Sequence, residues 1–136
     1  MRSTIAFVLV GLVLLLMIAS CATTPAEREP LGPGELRLVG ANFPEFGGIK
    51  KNVKYPVDIK FEADGRPEVT RVCVNWNVYN AGCGPLLDIN YGTGVLRADV
   101  PTPMDGLYMF RAYVYYTRHE ISVRSNAVEI PVTIVP

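Results

Sequence analysis

The sequence predicts an all-β protein, a single antiparallel β-sandwich of about seven strands over residues 35–136. Three observations carry that expectation. Apolar and polar residues alternate with period two through most of the region, the pattern of strands with one buried face. Turn-forming clusters separate the alternating runs, at residues 63–67, 92–94 and 101–103. No window of about eleven residues in the region holds a helical period.

The elements follow in order. Leu36 and Leu38 alternate with Glu35 and Arg37, and this first strand ends near Asn42. In the second, Val53, Tyr55, Val57, Ile59 and Phe61 alternate with Lys54, Pro56, Asp58, Lys60 and Glu62. Asp64 and Gly65 then turn the chain, because glycine accepts positive φ, and Pro67 stops ladder pairing on its side. Val72, Val74 and Trp76 face one way in the third strand, and Arg71, Cys73 and Asn75 face the other. Residues 86–90 and 95–100 form two shorter strands around Gly92, Thr93 and Gly94, and Pro101, Thr102 and Pro103 make the next corner. The sixth strand is the most regular. Tyr108, Phe110, Ala112, Val114 and Tyr116 occupy its inner face, and Met109, Arg111, Tyr113, Tyr115 and Thr117 its outer one. Residues 117–122 carry the reversal, and Val128, Ile130, Val132 and Ile134 form the inner set of the last strand. Pro131 points outward without a donor, which places that strand at a sheet edge or a bulge.

Ahead of the domain, Arg2 gives a positive start, and residues 5–18 are an apolar run broken only by Gly11. Such a run rises about 21 Å as helix, short of the roughly 30 Å hydrocarbon core, and so reads as a secretory leader. Ile18, Ala19, Ser20 and Cys21 follow, and they resemble the lipobox of bacterial lipoproteins. The resemblance implies a signal peptide over residues 1–20, cleavage before Cys21, and lipid on the Cys21 thiol as the membrane anchor. The alternative is an uncleaved anchor helix that ends in cysteine. Two or three acyl chains hold a protein stably, where one does not. Ala22 is not the aspartate that favours inner-membrane retention in diderm lipoproteins, so the resemblance favours an outer membrane facing the periplasm. Residues 21–34 hold Thr23, Thr24, Pro25, Pro30, Gly32, Pro33 and Gly34, a composition that reads as a flexible tether. With Cys21 committed to lipid, Cys73 and Cys83 remain as an even pair in an oxidising compartment, where a disulfide is expected over free thiols.

The domain resembles the immunoglobulin-like fold, fibronectin type III domains included. Asp105, Gly106, Leu107, Tyr108 and Phe110 match the tyrosine corner of that family, whose tyrosine hydroxyl bonds the backbone upstream. Trp76 falls where the buried tryptophan of the third strand sits. Phe110 replaces the cysteine of antibody domains, and Ile59 or Phe61 is its counterpart, so apolar packing takes the place of the inter-sheet disulfide. Cys73 lies on the outward side, and its bridge is expected to pin the loop over residues 77–84 across the sheet.

Charge and motifs narrow the function. Lys+Arg and Asp+Glu both number 13, and with Arg2 lost the mature chain carries one net negative charge. That balance gives no footprint for nucleic acid or for anionic lipid head groups. No cofactor, metal site or catalytic centre is expected. The single histidine, His119, sits between Arg118 and Glu120 in a turn, and no nucleophile–base or phosphate-loop motif is present. The candidate binding face is the outer row Met109, Arg111, Tyr113 and Tyr115, flanked by Arg71 and Asn75. Tyrosine and arginine join large contact area to hydrogen-bonding tips, as interfaces require. The reading is a membrane-anchored, non-enzymatic interaction or accessory domain with an envelope protein partner. The alternatives are a glycan- or peptidoglycan-binding module that stacks sugars on Tyr113 and Tyr115 with Arg111, and a row that merely stabilises its sheet. The edge of the last strand is a second candidate surface, guarded by Pro131.

Overall fold

The computed structural model describes residues 29–43, 48–77 and 79–136. The residues read from the sequence as a leader, Cys21, and most of those read as a tether lie outside the described residues. Residues Leu31–Pro136 form one compact unit, and every regular element among its described residues is a strand. The strands are β1 (Leu36–Asn42), β2 (Ile49–Lys50), β3 (Lys54–Ala63), β4 (Val69–Trp76), β5 (Tyr79–Gly84), β6 (Asp88–Asn90), β7 (Val95–Pro101), β8 (Gly106–Arg118), β9 (Ile121–Arg124) and β10 (Val128–Val135). Ten strands stand among the described residues where about seven were expected; the alternating runs of the sequence fall in β1, β3, β4, β6, β7, β8 and β10, and β2, β5 and β9 are additional.

Two sheets face each other. One runs β1-β3-β7-β6, and the other runs β2-β10-β8-β4-β5 with β9 also on β8. Ladders are antiparallel except β2 on β10. The period-two pattern buries one side of each main strand: Val57, Ile59 and Phe61 from β3, Leu96, Ala98 and Val100 from β7, Val72, Val74 and Trp76 from β4, and Phe110, Ala112, Val114 and Tyr116 from β8. Val53 departs from the expected inner set. It precedes β3, is exposed, and spends its backbone on Thr102. Buried Thr102 accepts the Val53 amide and donates to the Lys50 carbonyl, which fixes the corner after β7.

Aromatic rings fill one end of the core. Trp76 and Phe110 are fully buried with ring centres 5.0 Å apart. Phe43 lies edge-on to Phe110 at 5.0 Å, and Tyr108 packs edge-on to Trp76 at 5.7 Å. The expected role of the Tyr108 hydroxyl is not what the geometry shows. Among the described residues it makes no hydrogen bond, and the ring lies over Gly106 instead. A hydroxyl-to-backbone clamp is made by Tyr91, which donates to the Pro67 carbonyl and so ties the β6–β7 turn to the β3–β4 connection.

That connection links the two sheets, because β3 and β4 belong to different ones. At the β6–β7 turn Gly94 has φ +70°, and its carbonyl accepts the Phe61 amide at 2.8 Å. A Cβ there would stand 2.6 Å from the Phe61 carbonyl oxygen, so only glycine permits this approach. The reversal after β8 is tighter than residues 117–122. Two residues, His119 and Glu120, both with positive φ, form a hairpin turn, and the strand resumes at Ile121. β9 and β10 then follow the same edge of β8, interrupted by Ser125, Asn126 and Ala127. Ser125 exchanges hydrogen bonds with Val114, its amide donating to the carbonyl and its Oγ accepting the amide. Asn126 accepts from the Leu38 amide and donates to the Leu38 carbonyl, which joins the two sheets at 2.8 and 2.9 Å. The last residues of the sequence-read tether are bound to the domain, since Pro33 accepts from Arg118 Nε and Gly34 donates to Asp64.

Candidate functional site

β8 is the longest strand and has neighbours on both sides, so its outer face is the middle of the six-stranded sheet's exposed surface. Strand registers arrange that surface in rows. Arg71 of β4 and Arg124 of β9 both pair with Tyr115. Cys73 pairs with Tyr113, and Asn75 and Glu129 flank Arg111. Pro131 stands opposite Met109. The six residues read from the sequence are therefore contiguous.

Side chains give the rows their chemistry. The Arg71 guanidinium carbon lies 4.1 Å from the centre of the Tyr115 ring, and that of Arg124 lies 4.2 Å from the centre of Tyr113. The two tyrosines meet edge to face at 5.9 Å. Cation–π contacts at exposed sites contribute about 0.5–1 kcal/mol each. Arg111 Nε is buried 3.8 Å from Glu129 Oε1, an ion pair longer than a hydrogen bond. Asn77 caps the row, its Oδ1 accepting the Met109 amide at 2.7 Å. Beyond it Leu107 and Met109 form an exposed apolar end, 80% and 41% accessible.

Cys73 and Cys83 are register partners on β4 and β5, and their sulfurs lie at bonding distance. The bridge thus joins adjacent strands of one hairpin, where the sequence reading expected it to pin a loop across the sheet. Its Cys73 half is buried beside Tyr113, although it lies on the outward side of β4. The glycine-rich segment before Pro85 pairs with β4 where a loop was expected.

Arg124, Glu129 and Asn77 were missing from the sequence-read site. Arg124 belongs to β9, whose turn carries no glycine or asparagine to announce a hairpin. The alternation of Ile121 and Val123 with Ser122 and Arg124 is its one local signal.

The edge of β10 is only partly open. Ile49 and Lys50 of β2 cover its end at Ile134 and Val135. Because Asn77 takes the Met109 amide on the β4 side, the Met109–Pro131 pair turns its backbone groups away from each other. The Pro131 nitrogen therefore faces the open edge, where an incoming strand finds no donor. Among the described residues no three His, Cys, Asp or Glu side chains gather as metal ligands.

Compared with protein-family models, with curated proteins and with solved structures, the chain matches none.

Proposed function

We propose that the chain is a lipoprotein precursor whose mature form, anchored through lipid on Cys21, presents an immunoglobulin-like sandwich as a non-enzymatic interaction domain of the bacterial envelope. Its contact surface is the outer face of β8 and its flanks, and its partner is another envelope protein. One observation carries the reading. Tyr113 and Tyr115 are packed in a fixed arrangement with Arg71 and Arg124 at the centre of a sheet face that no other element of the described domain covers. Tyrosine offers large contact area with few rotatable bonds, and an arginine already held over a ring has less freedom left to lose, which suits both as interface anchors.

The glycan reading is less well supported, because each tyrosine already has a guanidinium on a ring face where a sugar would stack. The test is site-specific photo-crosslinking in the native envelope, with the reactive side chain at position 113 and a control at Lys60 on the opposite sheet. One protein captured from position 113 and not from position 60 is the expected result. Capture of glycan, or no capture, overturns the reading. The anchor is tested separately: Cys21→Ser is expected to abolish processing and membrane attachment, and unchanged attachment refutes lipidation.

A further inference from the structure

We infer that the β8 face recognises a pair of carboxylates on an extended acidic segment of a protein partner, an inference that rests on the interaction reading above. Arg71 and Arg124 approach Tyr115 from opposite sides, one on β4 and one on β9. Their Cα atoms are two strand spacings apart, about 10 Å. Each head lies over one of two neighbouring rings, whose centres are 5.9 Å apart. Alternate side chains of an extended strand are separated by about 7 Å, so a segment with acidic residues at every second position sets one carboxylate over each guanidinium.

The stacking leaves the arginines ready for this. A guanidinium on a ring uses its flat face, while its five N–H donors lie in its plane. Among the described residues neither Arg71 nor Arg124 has an ion-pair or hydrogen-bond partner. A carboxylate accepts two such donors side by side. Because the rings already restrict both side chains, less freedom is lost when the carboxylates bind. The local charge agrees. Arg71, Arg111 and Arg124 stand against the single carboxylate Glu129 in these rows, although positive and negative residues balance over the whole chain. Farther along the same outer row are exposed Met109 and Leu107. A polypeptide that follows its acidic pair with an apolar side chain fits this sequence of surfaces; a run of phosphates does not.

The experiment uses the full-length protein in detergent micelles and immobilised short peptides in three matched series. The peptides carry glutamate, glutamine or lysine at two alternate positions, followed by leucine. Vesicles of phosphatidylglycerol are the competing probe. The glutamate series is expected to be retained and the glutamine series to bind at least about tenfold more weakly. R71Q/R124Q should lower glutamate binding to the glutamine level. R71K/R124K should not restore it, since lysine offers no planar pair of donors. Equal retention of glutamate and glutamine series overturns the acidic inference and leaves the interaction reading intact. Binding to vesicles in place of peptides, or retention of no peptide, also overturns it. The crosslinking from position 113 decides the broader reading independently.

Discussion

The indole of Trp76, on β4, donates from Nε1 to the backbone oxygen of Pro101, on β7, at 3.2 Å. A core side chain of one sheet is thereby hydrogen-bonded to the end of a strand in the other. Replacing it removes the largest fully buried side chain and leaves a carbonyl without its donor. Trp76→Ala is expected to cost about 3–5 kcal/mol, and Trp76→Phe about 1–3 kcal/mol. Urea unfolding followed by circular dichroism measures both. A loss under about 1 kcal/mol for the alanine variant contradicts this account of the core.

The bridge between Cys73 and Cys83 closes a short loop, with a sequence separation of 10. The chain-entropy model assigns such a loop about 2–3 kcal/mol. Cys73→Ala/Cys83→Ala is therefore expected to lower stability by no more than that while keeping the β4–β8 ladder. Intact mass of unreduced protein should show no alkylatable thiol in the domain, and two reactive thiols would contradict the bridge.

Burial raises the Tyr91 hydroxyl above its ordinary value of 10.0, with the nearby Glu68 charge adding and Arg66 opposing. The neutral hydroxyl is also the form that donates to Pro67. A group whose pKa is higher in the folded state contributes stability that is fully present below its unfolded value and is lost as pH rises through the folded one. Thermal stability is expected to fall above about pH 10, and to fall less steeply in Tyr91→Phe. Parallel curves for the two proteins would assign the alkaline loss to other groups.

Asn126 holds both backbone groups of Leu38. Asn126→Ala removes two hydrogen bonds between sheets and is expected to cost about 1–3 kcal/mol. Hydrogen exchange should rise at the Leu38 amide more than at Phe61, which is held by Gly94. Equal protection at Leu38 in variant and parent would show that the contact contributes nothing.

What the sequence disclosed follows from how each element gains its stability. β3 and β8 are half-buried along their lengths, so their alternation exposes both their existence and their inner faces. β2 is two residues long and is defined by its partner β10, which no local pattern encodes. β5 contains Gly82 and Gly84 and draws its position from the ladder and bridge to β4. At the candidate site, the outer residues of β8 were legible from period two. The stacking of Arg124 on Tyr113 was not, because it depends on an unannounced hairpin and on a diagonal reach between rows. The tyrosine corner shows the converse: the motif at Tyr108 is present in sequence, while the hydroxyl clamp is made by Tyr91.

The placement of β8 also bears on the order of assembly. About thirty residues separate the end of β4 from the start of β8, its partner on the side away from β5, whereas β1, β3, β6 and β7 have all their sheet partners by Pro101. A chain made from its N-terminus can thus pair its smaller sheet early, but Trp76 lacks the Phe110 ring and β4 lacks its β8 ladder until β8 arrives. During that interval the half-built domain is a sticky, protease-sensitive species, and release of chains stopped after Pro101 should yield aggregates in which β4 is cleaved first.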